Sequence, residues 1–197
     1  MDQPECTLII GPSGCGKTYT LLNSIIEIEY KNKFDFIVIL CPTIWINQSY
    51  TEWKYLNTDI DVIGLEVSPE KLDMILKYLI DVYSGSKIAI IVDDMSNSNE
   101  QHQNNTSLAY LAYSGRHHNI SLFIVSQKLN SIATGIRDNT TRVIFFKTHN
   151  KRSLKILRDE FFGYLRDDDA ERDILKKLNA HKYLDINLTG QPSYVVK

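Results

Sequence analysis

No apolar run in this 197-residue sequence approaches the roughly 18 residues that a membrane-spanning helix needs. The first residues carry Asp2 and Glu5 where a signal peptide needs positive charge, so a soluble, intracellular protein is expected. Nor is there an excess of charge of one sign. The 22 Lys and Arg stand against 24 Asp and Glu, and this balance excludes a global attraction to nucleic acid or membrane. A polyanionic partner has to be met by a local patch. Cysteine is scarce: Cys6, Cys15 and Cys41 are an odd set in apolar or glycine-rich surroundings, with neither CxxC pairs nor the Cys/His spacing of a zinc site. A reducing compartment follows. No internal repeat is present.

What the chain does have is enough hydrophobic residue, 43%, to close a sizeable core at the length of one ordinary domain. A single domain over 1–197 is expected, with a core over roughly 1–160 and a C-terminal helix and strand extension over 161–197. Short runs rich in Ile, Val and Phe recur at Thr7 to Ile10, Phe36 to Cys41, Ile60 to Leu65, Ile88 to Val92, Leu122 to Val125 and Val143 to Phe146, and each predicts a buried strand. Between several of them lie Thr18 to Tyr30, Pro69 to Tyr83, Ser107 to His117 and Lys151 to Phe162, where apolar residues return every three or four positions. The alternation predicts an α/β protein with a mainly parallel sheet covered by helices. Ser68 and Pro69 fit an N-cap and first helical position. Ser96 to Ser107, almost wholly Asn, Gln, Ser, Glu, His and Thr, is too polar to fold alone and reads as a mobile loop.

The first strand leads into Gly11-Pro12-Ser13-Gly14-Cys15-Gly16-Lys17-Thr18, which satisfies G-x-x-x-x-G-K-[ST] at every fixed position and precedes a helical pattern. Glycines at 11, 14 and 16 are expected to take positive φ, turning backbone N–H groups inward around phosphate oxygens, while the helix beginning near Lys17 adds its positive dipole end. Lys17 is expected to reach the β and γ phosphates of ATP, and Thr18 to give its hydroxyl to Mg²⁺. Cys15 fills a free position as a small packing residue.

Lys87 to Met95 reads as a buried strand ending in two carboxylates, which at the carboxyl end of a parallel strand face the ligand crevice. Asp93 is the expected partner of Mg²⁺ and its water shell. Asp94, pointing away by strand alternation, is the expected base for an attacking water. Two strand candidates intervene between the phosphate loop and Asp93, so a further strand has room to lie between loop strand and metal strand. After Leu122 to Val125 comes Ser126-Gln127, where the Gln127 amide is a candidate sensor of the γ phosphate and the water.

Together with these motifs, Tyr113-Ser114-Gly115-Arg116-His117-His118-Asn119-Ile120-Ser121-Leu122 and Ile132 to Phe146 resemble segments of the FtsK–HerA superfamily of ring ATPases, within it the small DNA-packaging ATPases of poxviruses, other large DNA viruses and virophages. The resemblance covers roughly Cys6 to Leu157. It implies an ASCE or RecA-like P-loop NTPase, a three-layer α/β/α sandwich. It also implies a homo-oligomeric ring, usually a hexamer, that pumps double-stranded DNA into a capsid, at an assembly site in the host-cell cytoplasm or in association with the virion. Such rings complete each site with an arginine from the neighbouring subunit. Arg116 is the first candidate here, and Arg137, Arg142 and Arg152 are alternatives. His117 and His118 have no further ligands at zinc spacing and read as packing or helix-end residues.

For DNA contact the sequence offers two segments. Lys147, Lys151, Arg152, Lys155 and Arg158 gather at the start of a helical pattern, balanced by Asp159, Glu160 and the run Asp167 to Asp169; the polar 96–107 stretch is the other. Competing readings from other classes are a small nucleotide or metabolite kinase, another FtsK-like translocase, and a nucleotide-gated scaffold without turnover. Asp94 and Gln127 suit activation of water better than an acceptor pocket does.

Overall fold

Each of the six apolar runs forms a strand in the computed structural model, which describes residues 3–56, 61–83, 85–94, 106–163, 168–179 and 181–197. They are β1 (Cys6–Ile10), β2 (Phe36–Leu40), β3 (Val62–Leu65), β4 (Ile88–Asp93), β5 (Ile120–Ser126) and β6 (Arg142–Phe146). Two strands follow in the C-terminal extension, β7 (Tyr183–Asn187) and β8 (Ser193–Val196). The described strands form one eight-stranded sheet in the order β3-β2-β4-β5-β1-β6-β7-β8. The first six pair in parallel, and β7 and β8 add antiparallel to the β6 edge. The strand expected to separate the phosphate loop from the metal carboxylate is β5, which pairs with β1 on one side and β4 on the other.

Alternation along the strands splits the core into two layers of helix contact. Leu8, Ile10, Ile90, Val92, Leu122 and Ile124 face one side, with Ile9, Ile91, Phe123 and Val125 on the other. The second side is covered by α1 (Lys17–Tyr19), which continues without a break through the π-helical Thr20–Glu29, and by α2 (Gln48–Thr51). The first side is covered by α3 (Leu72–Val82), α4 (Thr106–Ser114), α5 (Thr134–Arg137) and α6 (Lys151–Ile156), the last running into π-helical Leu157–Phe161; α7 (Asp168–Lys177) joins that layer. The result is the α/β P-loop NTPase arrangement of three layers. Ser68 accepts from Lys71 N (3.0 Å), and the chain enters α3 through a 3₁₀ turn at Pro69–Lys71. The 96–105 part of the polar stretch and Asp167 lie outside the described residues. No helix among the described residues is long and apolar enough to cross a membrane.

One ionic cluster ties the extension to the body. Arg142, 8% exposed, forks onto Asp185 through Nε (2.8 Å) and Nη2 (2.7 Å) and reaches Glu29, at the end of the α1 helix, through Nη1 (2.7 Å). Lys197 bonds the same two carboxylates at 2.7 and 3.2 Å. Arg142 and Arg137, both alternatives for an arginine acting across a subunit boundary, are thereby accounted for locally. Arg137 holds Glu160 through two nitrogens (2.7 and 2.9 Å) and also donates to Ile132 O.

Candidate active site

The phosphate loop leaves β1 at the carboxyl edge of the sheet, where Gly11 N donates to Ser126 O at the end of β5 (3.2 Å). Gly14 and Gly16 take φ of +74° and +98°, as expected. Gly11 does not, and its requirement is steric. A Cβ there would lie 2.6 Å from Phe146 Cβ and 2.7 Å from Cys15 Sγ, so the loop can cross β6 closely only without a side chain. Gly16 caps α1, whose first residue is Lys17. Lys17 Nζ donates back to Pro12 O (2.9 Å), which holds the ammonium over the loop. Cys15 is half-buried, and burial pushes its thiol up, as suits a packing residue.

Thr18 and Asp93 meet directly: the threonine hydroxyl donates to Asp93 Oδ2 at 2.9 Å. A second donor, absent from the sequence reading, is Tyr50 on α2, whose OH reaches the same oxygen at 2.7 Å. Burial pushes the Asp93 carboxyl up from its ordinary value, and the two hydroxyl donors oppose that shift. Asp94 does not point away by alternation. It follows the last residue of β4 with φ +55°, and this left-handed turn brings it round to the same cavity as Asp93. The cavity holds about 340 Å³ and is lined by Ser13, Gly14 and the residues from Gly16 to Tyr19, by both carboxylates, by Ser126 and Gln127, and by Asn47 and Ser49 at the start of α2. A residue pattern could not have announced the last two, because the 42–51 segment has neither strand nor helix periodicity.

Thr18 and Asp93 offer one hydroxyl and one carboxylate opening onto the cavity, an oxygen set that suits Mg²⁺ when triphosphate oxygens complete the shell. Among the described residues no cluster of three His, Cys, Asp or Glu could hold a metal unaided. A cation here would arrive with nucleotide.

Arg116 is not brought to this cavity. It is exposed on the 3₁₀ turn Gly115–His118 that precedes β5, whereas Gln127 follows that strand. Seven strand residues, roughly 20 Å, separate the two ends. Arg116 and His117 instead line a separate concavity of about 790 Å³ with Lys33 and Lys87. His118 Nε2 lies 3.0 Å from Tyr110 OH, a packing partner. Of the basic residues at α6, Arg158 pairs with Glu171, while Lys147, Lys151, Arg152 and Lys155 are exposed.

With this geometry in place, the family can be assigned: the model of the poxvirus A32 protein matches residues 2–162. The chain belongs to the poxvirus A32 protein family. A search of curated protein sequences finds no match. Among solved structures, this A32-family chain is similar to B204, the DNA-packaging ATPase of Sulfolobus turreted icosahedral virus, at 16% identity and a TM-score of 0.72, covering 100% of this chain and 98% of that one. The genome packaging NTPase B204 of Sulfolobus turreted icosahedral virus 2 in complex with AMPPCP matches at 14% identity and a TM-score of 0.70, with the same coverage. The cytoplasmic domain of the type VII secretion ATPase EccC from Thermomonospora curvata matches at 12% and 0.65, over 96% of this chain and 25% of that one. At these identities the likeness establishes the fold.

Proposed function

We propose that this P-loop ATPase of the A32 family drives double-stranded viral DNA into a capsid as one subunit of a homo-oligomeric ring, a hexamer by its resemblance to ring ATPases, working at the assembly site in host cytoplasm. The observation that carries the reading is convergence: loop, Thr18, Asp93, Asp94 and Gln127, from three different strands, surround one cavity. The similarity of the whole chain to viral packaging ATPases supports the DNA substrate.

Bound Mg²⁺ would supply charge neutralisation between the β and γ phosphates. Thr18 and Asp93 would hold it. Loop N–H groups between Ser13 and Lys17 cradle the phosphates, and Lys17 exchanges its bond to Pro12 O for γ-phosphate oxygens. Asp94 takes the proton from the attacking water as oxygen bonds to the γ phosphorus and the bond to the β–γ bridging oxygen breaks. Gln127 orients that water. Arg116, too far from its own cavity, serves the neighbouring subunit, where a positive charge stabilises the transition state. Arg152, exposed at the start of α6, is the remaining alternative.

The test is ATP hydrolysis by the assembled protein with and without double-stranded DNA. Stimulation by DNA is expected. Turnover that ignores DNA and requires a small acceptor would instead identify a kinase.

A further inference from the structure

Among the described residues, Tyr50 is the one fully buried polar-tipped side chain at the site that neither the phosphate loop nor the paired carboxylates explain. It is 0% exposed, its ring packs in the helix layer with Leu21, Leu22 and Trp53, and its hydroxyl emerges only at Asp93 Oδ2, 2.7 Å away. The segment bearing it is set for that purpose. Asn47 caps α2 by accepting from Ser49 N (3.0 Å), which fixes the short helix, and Asn47 and Ser49 face the nucleotide cavity on either side. Thr18 reaches the same carboxylate oxygen from the loop side. The carboxylate of Asp93 is thus gripped at Oδ2 by hydroxyls from two elements, and among the described residues nothing donates to Oδ1.

We infer that Tyr50 is a positioning residue for the metal carboxylate: its hydroxyl locks the Asp93 side chain from the helix layer, opposite the loop, so that Oδ1 is presented to Mg²⁺ or its water shell. This rests on the assignment of Asp93 to Mg²⁺. A threonine hydroxyl can donate to Asp93 while a lone pair faces a cation, so both bonds are compatible with metal binding, and Tyr50 is the donor whose only task is the carboxylate. Hydroxyl and backbone donors behind a metal ligand typically set its affinity by 10- to 100-fold.

The experiment uses Tyr50→Phe, which keeps the ring in its packing site and removes only the oxygen. Calorimetry measures ADP affinity without metal, then Mg²⁺ titrated into the ADP complex, for the unchanged protein, Tyr50→Phe and Asp93→Asn. The expected result is a Mg²⁺ affinity weakened about tenfold by Tyr50→Phe with metal-free ADP affinity unchanged, and weakened further by Asp93→Asn. If Asp93→Asn weakens Mg²⁺ and Tyr50→Phe does not, the positioning role is overturned while the metal assignment stands. If Asp93→Asn leaves Mg²⁺ affinity unchanged, both fall. If Tyr50→Phe lowers metal-free ADP affinity and Mg²⁺ affinity alike, the tyrosine is a packing residue and the inference fails.

Discussion

At the scale of single residues, the division of labour inside the cavity rests on which atoms face the phosphates. Among the described residues Lys17 is the one cation of the cavity lining, so Lys17→Ala is expected to weaken ATP binding about 10- to 100-fold, the loss of a charge-assisted hydrogen bond. Equilibrium binding of a fluorescent ATP analogue measures this; unchanged affinity and turnover would reject the role. The two carboxylates separate by environment. Asp93 is buried and already bonded to two hydroxyls, whereas Asp94 turns into the cavity with no such grip. Asp94→Asn is therefore expected to retain Mg²⁺-ATP binding and to lose about 10²- to 10⁴-fold in turnover, while Asp93→Asn loses metal binding as well. Equal effects of the two changes on Mg²⁺-ATP affinity would dissolve the assignment. The meeting of loop and carboxylates at one cavity was legible beforehand because each motif is contiguous in sequence. The direction of Asp94 was not, since a single left-handed φ after β4 overrides strand alternation. Tyr50 was not either, because nothing local marks a tyrosine whose partner lies 43 residues away.

At the scale of elements, the parallel strands were readable because strands covered on both faces are continuous apolar runs, and all six runs lie within a residue or two of β1 to β6. Strands β7 and β8 were harder to read: Tyr183-Leu184-Asp185-Ile186-Asn187 mixes a buried acid into the run, and that acid is explained only by Arg142 in β6. The same cluster makes a prediction. Burial works to raise the Asp185 and Glu29 carboxyls, and the Arg142 bonds outweigh it, so both sit below their ordinary values of 3.8 and 4.5. Carboxyls depressed in the folded state contribute stability that is present above those ordinary values and is lost as pH falls through and below them. Arg142→Met, which strands Asp185 with Lys197 alone, is expected to cost about 3 kcal/mol at neutral pH and to flatten the fall in stability below about pH 5. Urea unfolding at several pH values reads both effects. An acid slope equal to that of the unchanged protein would show that the cluster does not set it.

At the scale of the whole molecule, the proposed role of Arg116 across a subunit boundary makes a prediction about whether a subunit works alone. With its own phosphate loop at the other end of β5, Arg116→Ala should leave ATP binding by the isolated subunit intact and remove ring turnover by on the order of 10³ or more. Mixing Arg116→Ala subunits with Lys17→Ala subunits should restore part of the activity, because a mixed ring pairs an intact loop with an intact arginine on the next subunit. If light scattering confirms co-assembly and no ATPase activity returns, Arg116 is not the residue that acts across the boundary, and Arg152 is next.

The strand order also governs when in its own synthesis the chain can first hold nucleotide. The residues that name the loop are among the first eighteen, yet β1 pairs only with β5 and β6, Cys6 with Leu122 and Thr7 with Arg142, and Gly11 is anchored to Ser126. A nascent chain that ends before Ile120 carries the complete phosphate-loop sequence with no neighbouring strand to support it, and one that ends before Arg142 has β5 alone. The Thr7 to Ile10 segment must wait, apolar and unpaired, for more than a hundred residues to follow, which places the hazard of misassociation before β5 emerges and the gain of ATP binding after β6.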